Sequence, residues 1–324
     1  VTKKIILDTD PGIDDAMAIL FAEGHAAVDL IGITTIFGNA TIENSTCNAL
    51  YLKQKYGMKA DVSMGADKPL LRPPVGPTTT VHGETGFGEL QVNAADVKLS
   101  ADPRPAWQYI VEQLKAQPGE ITLVAVGPLT NLALALQHEP GITKLVKEVV
   151  VMGGAFGVNG HQGNVSPFAE ANIHDDPEAA DIVFTADWPV VIIGLDVTHE
   201  SFFTPEYLDK LRDEAGEPGR FIHQISRFYL DFYQRSLGIS GCHVHDPSAI
   251  AYVIDPSLFT LRKGPVRVVC SGPAIGHTMQ KTYERRHPHD DWSDMPTQSV
   301  GVGVRDEALL ELYRNTLIDF GRQS

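Results

Sequence analysis

The sequence predicts an α/β fold: an open, mostly parallel sheet flanked by helices, in a single large domain. Three observations carry that expectation. Between residues 4 and 194, short β-branched runs alternate with longer amphipathic ones. Several runs are apolar without a break, as in Val190-Val191-Ile192-Ile193, which suits strands covered by helices on both faces. Finally, 324 residues with 43% apolar and 21% charged side chains supply a core of ordinary size. The chain shows no internal repeat, low-complexity tract or Gly/Ser linker that would divide it.

In order, Lys4–Leu7 reads as a strand and Asp14–Ala27 as a helix, with Ala16, Ile19, Leu20 and Ala27 roughly on one face. Asp29–Thr35 is the next strand and Ile42–Tyr56 the next helix. The segment Gly65–Pro105 carries Pro69, Pro73, Pro74, Pro77 and a Gly83–Gly88 cluster, so it reads as a long surface loop. Loops of that length inside compact domains are usually functional. Strand Ile121–Ala125, helix Thr130–His138, strand Val149–Met152, helix Pro177–Phe184 and strand Val190–Gly194 continue the alternation. An aromatic-rich helix over Phe221–Leu237 and a helix over Pro247–Ile254 follow. Lys281–Met295 is a polar excursion before a last strand, Ser299–Val304, and a closing helix, Glu307–Phe320.

Composition excludes several classes. Lys and Arg number 26 and Asp and Glu 41, a formal charge of −15. That balance repels phosphate backbones, and the densest basic cluster is only Arg285-Arg286 beside Asp290 and Asp291, so no nucleic acid is expected as a partner. No apolar stretch approaches the roughly 20 residues that span a bilayer, so no membrane association is expected. Residues 1–8 lack the long apolar core of a secretory signal. Cys47, Cys242 and Cys270 are odd in number and far apart, which argues against a disulfide framework. The expected setting is reducing and cytoplasmic.

In an open parallel sheet the ligand site lies beyond the carboxyl ends of the strands. Those ends read Asp8-Thr9-Asp10-Pro11-Gly12-Ile13-Asp14-Asp15, then Gly38-Asn39, then Val126-Gly127-Pro128-Leu129-Thr130-Asn131, then Met152-Gly153-Gly154 with Gly163-Asn164 beyond. Four aspartates within eight residues repel one another unless a cation relieves them. All-oxygen ligation suits Ca2+ or Mg2+ rather than zinc. The plainer alternative is that Asp14 or Asp15 caps the following helix. Likewise, Asp246 in His245-Asp246-Pro247 is either a metal ligand or an N-cap with Pro247 at the first helical position. In the segment 163–178, Asp176 reads as the cap of the helix starting at Pro177, whereas Asn164, Glu170 and Asn172 are not explained by capping. Amides and carboxylates mixed in this way can grip vicinal hydroxyls, which is sugar chemistry.

Together these segments resemble the inosine-uridine-type nucleoside hydrolases. The resemblance rests on Asp8-Thr9-Asp10-Pro11-Gly12-Ile13-Asp14-Asp15, Phe37-Gly38-Asn39, Val81-His82-Gly83-Glu84-Thr85-Gly86 and Gly127-Pro128-Leu129-Thr130-Asn131. It continues through Met152-Gly153-Gly154, Gly163-Asn164, Ala169-Glu170-Ala171-Asn172 and His245-Asp246-Pro247, in the family's order. It implies the Rossmann-like nucleoside hydrolase fold and hydrolysis of the N-glycosidic bond of ribonucleosides to ribose and free base, with a tightly held Ca2+. Asp10, Asp15, Asp246 and the backbone carbonyl of Val126 would ligate the ion. Family members often carry Thr at the position of Val126, a change that a carbonyl ligand should tolerate.

By the same resemblance, Asp10 would be the general base toward the attacking water. Asp14, Asn39, Asn164, Glu170 and Asn172 would grip the ribose as it gains oxocarbenium character, with Met152 packed nearby. His245 is the candidate acid for the leaving base. His82 could instead face the base edge, and Tyr229 and Tyr233, at i and i+4, could join them or simply pack in the core. This set suits broad inosine and uridine specificity; the alternative is a pyrimidine-preferring hydrolase. Trp107 and Trp188 look structural, and Trp292, with His287 and His289 in the polar excursion, is a conceivable base-stacking lid. A homodimer or homotetramer is also implied.

Two rival classes make different demands. A phosphohydrolase with an aspartyl nucleophile would fit Asp8-x-Asp10, but it would need Lys or Arg at other strand ends, where Asn, Gly and Thr stand. A non-catalytic nucleoside- or ribose-binding protein on the same fold would not require the full set of acids.

Overall fold

The structure, a computed structural model, describes residues 2–323. Eight strands form one sheet. Six are named here: β1 (Lys3–Thr9), β2 (Val28–Thr35), β3 (Asp61–Met64), β4 (Ile121–Ala125), β5 (Glu148–Met152) and β6 (Val190–Ile193). The spatial order is β3-β2-β1-β4-β5-β6, followed by Gln298–Val304 and, at the edge, Phe259–Gly264. Every pairing is parallel except the last. The order reverses between β1 and β4, so their carboxyl ends diverge around a crevice at a topological switch point.

Burial on both faces follows from the strand sequences. In β1, Ile5 and Leu7 enter one core cluster and Ile6 the other, all with almost no exposure. The first cluster is closed by helices Ile13–Gly24, Ile42–Tyr56, Gly216–Leu237, Asp246–Ile254 and Asp306–Gly321, the second by Ala106–Ala116, Thr130–His138 and Pro177–Thr185. Sheet class and helical flanking thus match the sequence expectation. Among the described residues no helix is long and apolar enough to cross a membrane, and all three cysteines are free.

The structure also adds elements. Strand β3 and helix Ala106–Ala116 border the long loop, and the aromatic helix begins five residues earlier than its apolar pattern suggests, at Gly216. Edge strand Phe259–Gly264 runs antiparallel and places Arg262 and Lys263 along its rim, where charge discourages pairing with another chain. Within the long loop, a single turn of helix at Thr79–His82 carries His82 inward. Anchors hold the loop's start: the Leu70 N–H donates to Asp176 Oδ2 at 2.8 Å, and Arg72 pairs with Glu178.

Candidate active site

The turn after β1 arranges the four aspartates in four ways. Asp8 Oδ1 accepts from Thr34 Oγ1 and Asn131 Nδ2, tying β1 to its neighbours. Asp15 accepts four hydrogen bonds: Oδ1 from Thr9 Oγ1 (2.5 Å) and the Asp10 N–H (3.2 Å), Oδ2 from the Gly12 N–H (2.9 Å) and Asn39 Nδ2 (2.8 Å). It therefore does close the helix start, from the third position with Gly12 as the N-cap. Asp10 accepts one bond, from the Asn39 N–H to Oδ2 at 2.7 Å, and its Oδ1 is buried without a partner. Asp14 Oδ1 is likewise buried and unpartnered.

Asp246 completes this group. It is 3% exposed and is the first residue of its helix, with His245 at the N-cap position and no side-chain cap bond. The capping alternative for Asp246 is thereby corrected: Pro247 occupies the second helical position, and the Asp246 carboxylate is left to the site. Ligand oxygens of Asp14, Asp15 and Asp246 lie within 4.8 Å of one another. Burial and mutual repulsion push Asp14 up to about 8, and Asp10 and Asp246 well above the usual carboxylate range. Uncompensated buried carboxylates are costly, and a cation at their focus removes that cost. The donor set is oxygen throughout, so a hard divalent ion fits these residues.

Around Asp10 the backbone comes unusually close. A Cβ on Gly38 would sit 2.1 Å from Asp10 Oδ2, and one on Gly127 2.6 Å from Oδ1. Glycine at both positions lets the carboxylate lie against the chain between β1 and β4.

The amide-rich wall lies beyond β4 and β5. Glu170 is the N-cap of helix Ala171–Asp175, its oxygens accepting from the N–H groups of Asn172 (2.9 Å), Gly154 (2.9 Å) and Ile173 (3.2 Å). Capping therefore does explain Glu170, contrary to the sequence reading, and it fixes the carboxylate on the cavity wall. Asn164 Oδ1 accepts from the Ala171 N–H at 3.0 Å. Asn172 Nδ2 donates to the carbonyls of Val126 (2.9 Å) and Met152 (3.2 Å). Asp176 caps the next helix through the Ala179 N–H, as expected.

Opposite chemistry comes from the aromatic helix and the loops before Asp246. His245 is held at both ring nitrogens, Nδ1 to Thr198 Oγ1 (2.9 Å) and Nε2 to Tyr233 Oη (3.0 Å). Burial, then the neighbouring imidazoles of His199, His243 and His82, push it well below the usual histidine value. His82 Nδ1 accepts the Ile13 N–H at 3.2 Å, so the neutral ring carries its proton on Nε2. Its ring lies 5.6 Å from that of Tyr229, and Tyr229 meets Tyr233 edge-on at 5.0 Å. These walls enclose a cavity of about 320 Å³, within the range of small-molecule sites.

A sequence profile of the inosine-uridine preferring nucleoside hydrolases matches residues 5–311. The chain belongs to that family. It is 42% identical over 320 residues to a probable uridine nucleosidase of Arabidopsis thaliana, covering 98% of each chain. To the inosine-uridine preferring nucleoside hydrolase of Crithidia fasciculata it is 41% identical over 290 residues, 89% of this chain and 90% of the other. The solved structure of a plant nucleoside hydrolase superimposes with a TM-score of 0.93 at 36% identity, covering 98% of this chain and 99% of that one. The protein is thus a nucleoside hydrolase, an N-glycosidase.

Of the residues singled out in its sequence, Asp14, Asn39, His82, Val126, Met152, Asn164, Glu170, Asn172, Tyr229, Tyr233, His245 and Asp246 all line this hydrolase's cavity; Asp10 and Asp15 do not. No residue of 281–295 lines it: Asp290 gathers the N–H groups of His287, Trp292 and Ser293 into a self-contained turn held by Lys281. Trp292 therefore does not line this cavity. Trp188 is buried, donating to the Val183 carbonyl, and Trp107 stacks on His138 at 3.9 Å, both structural as expected. Lining residues that had not been singled out include Thr78, His199, His243, Phe232 and Leu237. The strand-end rule, carried on past β6, reaches His199; nothing in the local pattern marks the others.

Proposed function

We propose that this nucleoside hydrolase binds Ca2+ at its aspartate cluster and cleaves both inosine and uridine. The observation that carries the reading is the unpartnered, buried Oδ1 of Asp10 close to the Asp14, Asp15 and Asp246 carboxylates, of which Asp14 and Asp246 line a cavity with amides on one wall and imidazoles on the other. Asp15, Asp246, Asp10 and the Val126 carbonyl would hold the ion. Bound there, Ca2+ supplies Lewis acidity that makes water easier to deprotonate.

Asp10 accepts that proton at Oδ1, the oxygen with no other partner, while the Asn39 N–H fixes Oδ2. Asp14, Asn39, Asn164, Glu170 and Asn172 hold the ribose hydroxyls, and their grip strengthens as the C1′–N bond opens and positive charge spreads over the ring. Met152 packs beside Asn172. His245 and Tyr233 form one hydrogen-bonded unit through which a proton reaches the departing base, and His82 with Tyr229 bounds the base from the other side. The products are ribose, which gains the water oxygen, and the protonated free base.

Purified protein supplied with Ca2+ and incubated separately with inosine, uridine, cytidine and adenosine tests this through the ribose released. Comparable release from inosine and uridine is the expected result. Release from pyrimidine nucleosides alone replaces the broad reading with a pyrimidine-preferring one. No ribose from any of the four overturns the proposal.

A further inference from the structure

We propose that His199 and His243 bind the polar edge of the base and so determine which leaving groups this hydrolase accepts. The inference rests on the reading of the cavity as a ribonucleoside site. It starts from placement. His199 ends the short helix Leu195–Thr198, just past the carboxyl end of β6. His243 lies in the two-residue strand Cys242–His243, paired antiparallel with Phe202–Phe203 so that His243 faces Phe202. These two connections bring the imidazole rings to 4.3 Å. Both line the cavity on the side of His245, whose ring is 5.4 Å from His199 and 6.0 Å from His243. On the outer side His161 meets His199 edge-on at 5.1 Å and is itself paired with Glu200, which fixes the stack from the surface.

The hydrogen-bonding inventory separates these two rings from the other histidines of the cavity. His245 spends both nitrogens on Thr198 and Tyr233, and His82 spends Nδ1 on the Ile13 N–H. No described residue hydrogen-bonds the ring nitrogens of His199, and His243 Nδ1 is buried without a partner. Half-buried polar groups left open beside a cavity are available to a ligand, and leaving them unmatched is costly. Burial, reinforced by the adjacent imidazoles, holds His199 at about 3 and His243 at about 4. Both rings are therefore neutral near pH 7; His199 offers the cavity one N–H donor and one bare acceptor nitrogen, and His243, whose Nδ1 is sealed inside the protein, offers Nε2 as either donor or acceptor.

That pattern matches the lactam edge of uracil and of hypoxanthine, where a carbonyl acceptor stands next to an N–H donor. One imidazole donates to the carbonyl while the other accepts from the N–H. Phe232 and Leu237 add apolar surface to the same cavity for the faces of the ring. A leaving group with no such edge gains nothing from the pair, so the two histidines act on selectivity rather than on bond cleavage.

The test compares uridine and inosine with p-nitrophenyl β-riboside, which shares the ribose but has no lactam edge. In His199→Ala and His243→Ala, the ratio of kcat/KM for uridine to that for the aryl riboside should fall about tenfold per hydrogen bond removed, mainly through KM. His199→Asn, which keeps a donor and an acceptor, should recover part of the ratio. An unchanged ratio, whether both substrates lose activity equally or neither does, overturns the assignment. A wild-type protein that cleaves the aryl riboside but no nucleoside would instead remove the nucleoside reading beneath it.

Discussion

Gly127→Ala adds one methyl group and no charge, yet it should disable the enzyme. Gly127 does not adopt a positive φ, so alanine is conformationally acceptable and the effect is steric. The new Cβ would stand 2.6 Å from Asp10 Oδ1 and 2.8 Å from Ile36 Cγ2. An ordinary contact needs about 3.4 Å, so Asp10 must retreat by roughly 0.8 Å. The carboxylate has little room to do so, because the Asn39 N–H holds Oδ2 at 2.7 Å and the Gly38 backbone closes the other flank. A displacement of that order at a group that must meet a reacting water costs about a hundredfold in kcat, or about 2.7 kcal/mol of transition-state stabilisation. Overpacking should also cost about 1–3 kcal/mol of stability. Ribose release from uridine under saturating substrate gives kcat, and thermal unfolding checks that the protein remains folded. A folded Gly127→Ala protein with wild-type kcat would falsify the claim that Asp10 works from this cradle.

Three further predictions follow from other parts of the structure. Chelation should abolish ribose release and lower Tm, and adding back Ca2+ should restore both, since an ion at 100 times its Kd contributes about 2.7 kcal/mol; a Tm indifferent to chelator would speak against an ion at the aspartates. His199 is held at about 3 in the fold but titrates near 6.5 unfolded. Below that value the unfolded chain binds a proton that the fold refuses, so stability present above pH 6.5 is lost as pH falls, by up to about 1.4 kcal/mol per unit. The raised carboxylates act in the opposite sense but are common to both proteins, so His199→Asn should lose less Tm than wild type between pH 7 and pH 5; parallel losses would contradict this. Asp176→Ala strands the Leu70 and Ala179 N–H groups and Thr130 Oγ1, which should cost about 2–4 kcal/mol in denaturant unfolding; a loss below ~0.5 kcal/mol would show that the cap is dispensable.

What the sequence makes legible here is the part that repeats at each strand end. Asp10, Asn39, Val126 and Met152 follow directly from reading past β1, β2, β4 and β5, because parallel strands deliver their next residues to one edge. The family motifs add His82, Glu170 and Asp246, which the topology brings in from distant loops. The roles of Glu170 and Asp246 in their helices were not legible. Whether a residue is the cap or its neighbour depends on a shift of one position, and no spacing rule fixes that. Helix Ala106–Ala116 lies hidden because it begins just past Pro105, the end of a proline-rich loop. His199 and His243 escape for a different reason. They meet only through a strand pair two residues long, a contact between distant segments that leaves no local periodicity.

The central claim is that Asp10, just behind the cavity lining, is the base of this site. The most direct measurement is single-turnover ribose release from uridine by Asp10→Ala with Ca2+ present, alongside uridine binding by the same protein. A loss of about 10²–10⁴-fold in the chemical step, with binding retained, is the predicted result. Turnover near the wild-type rate would contradict it.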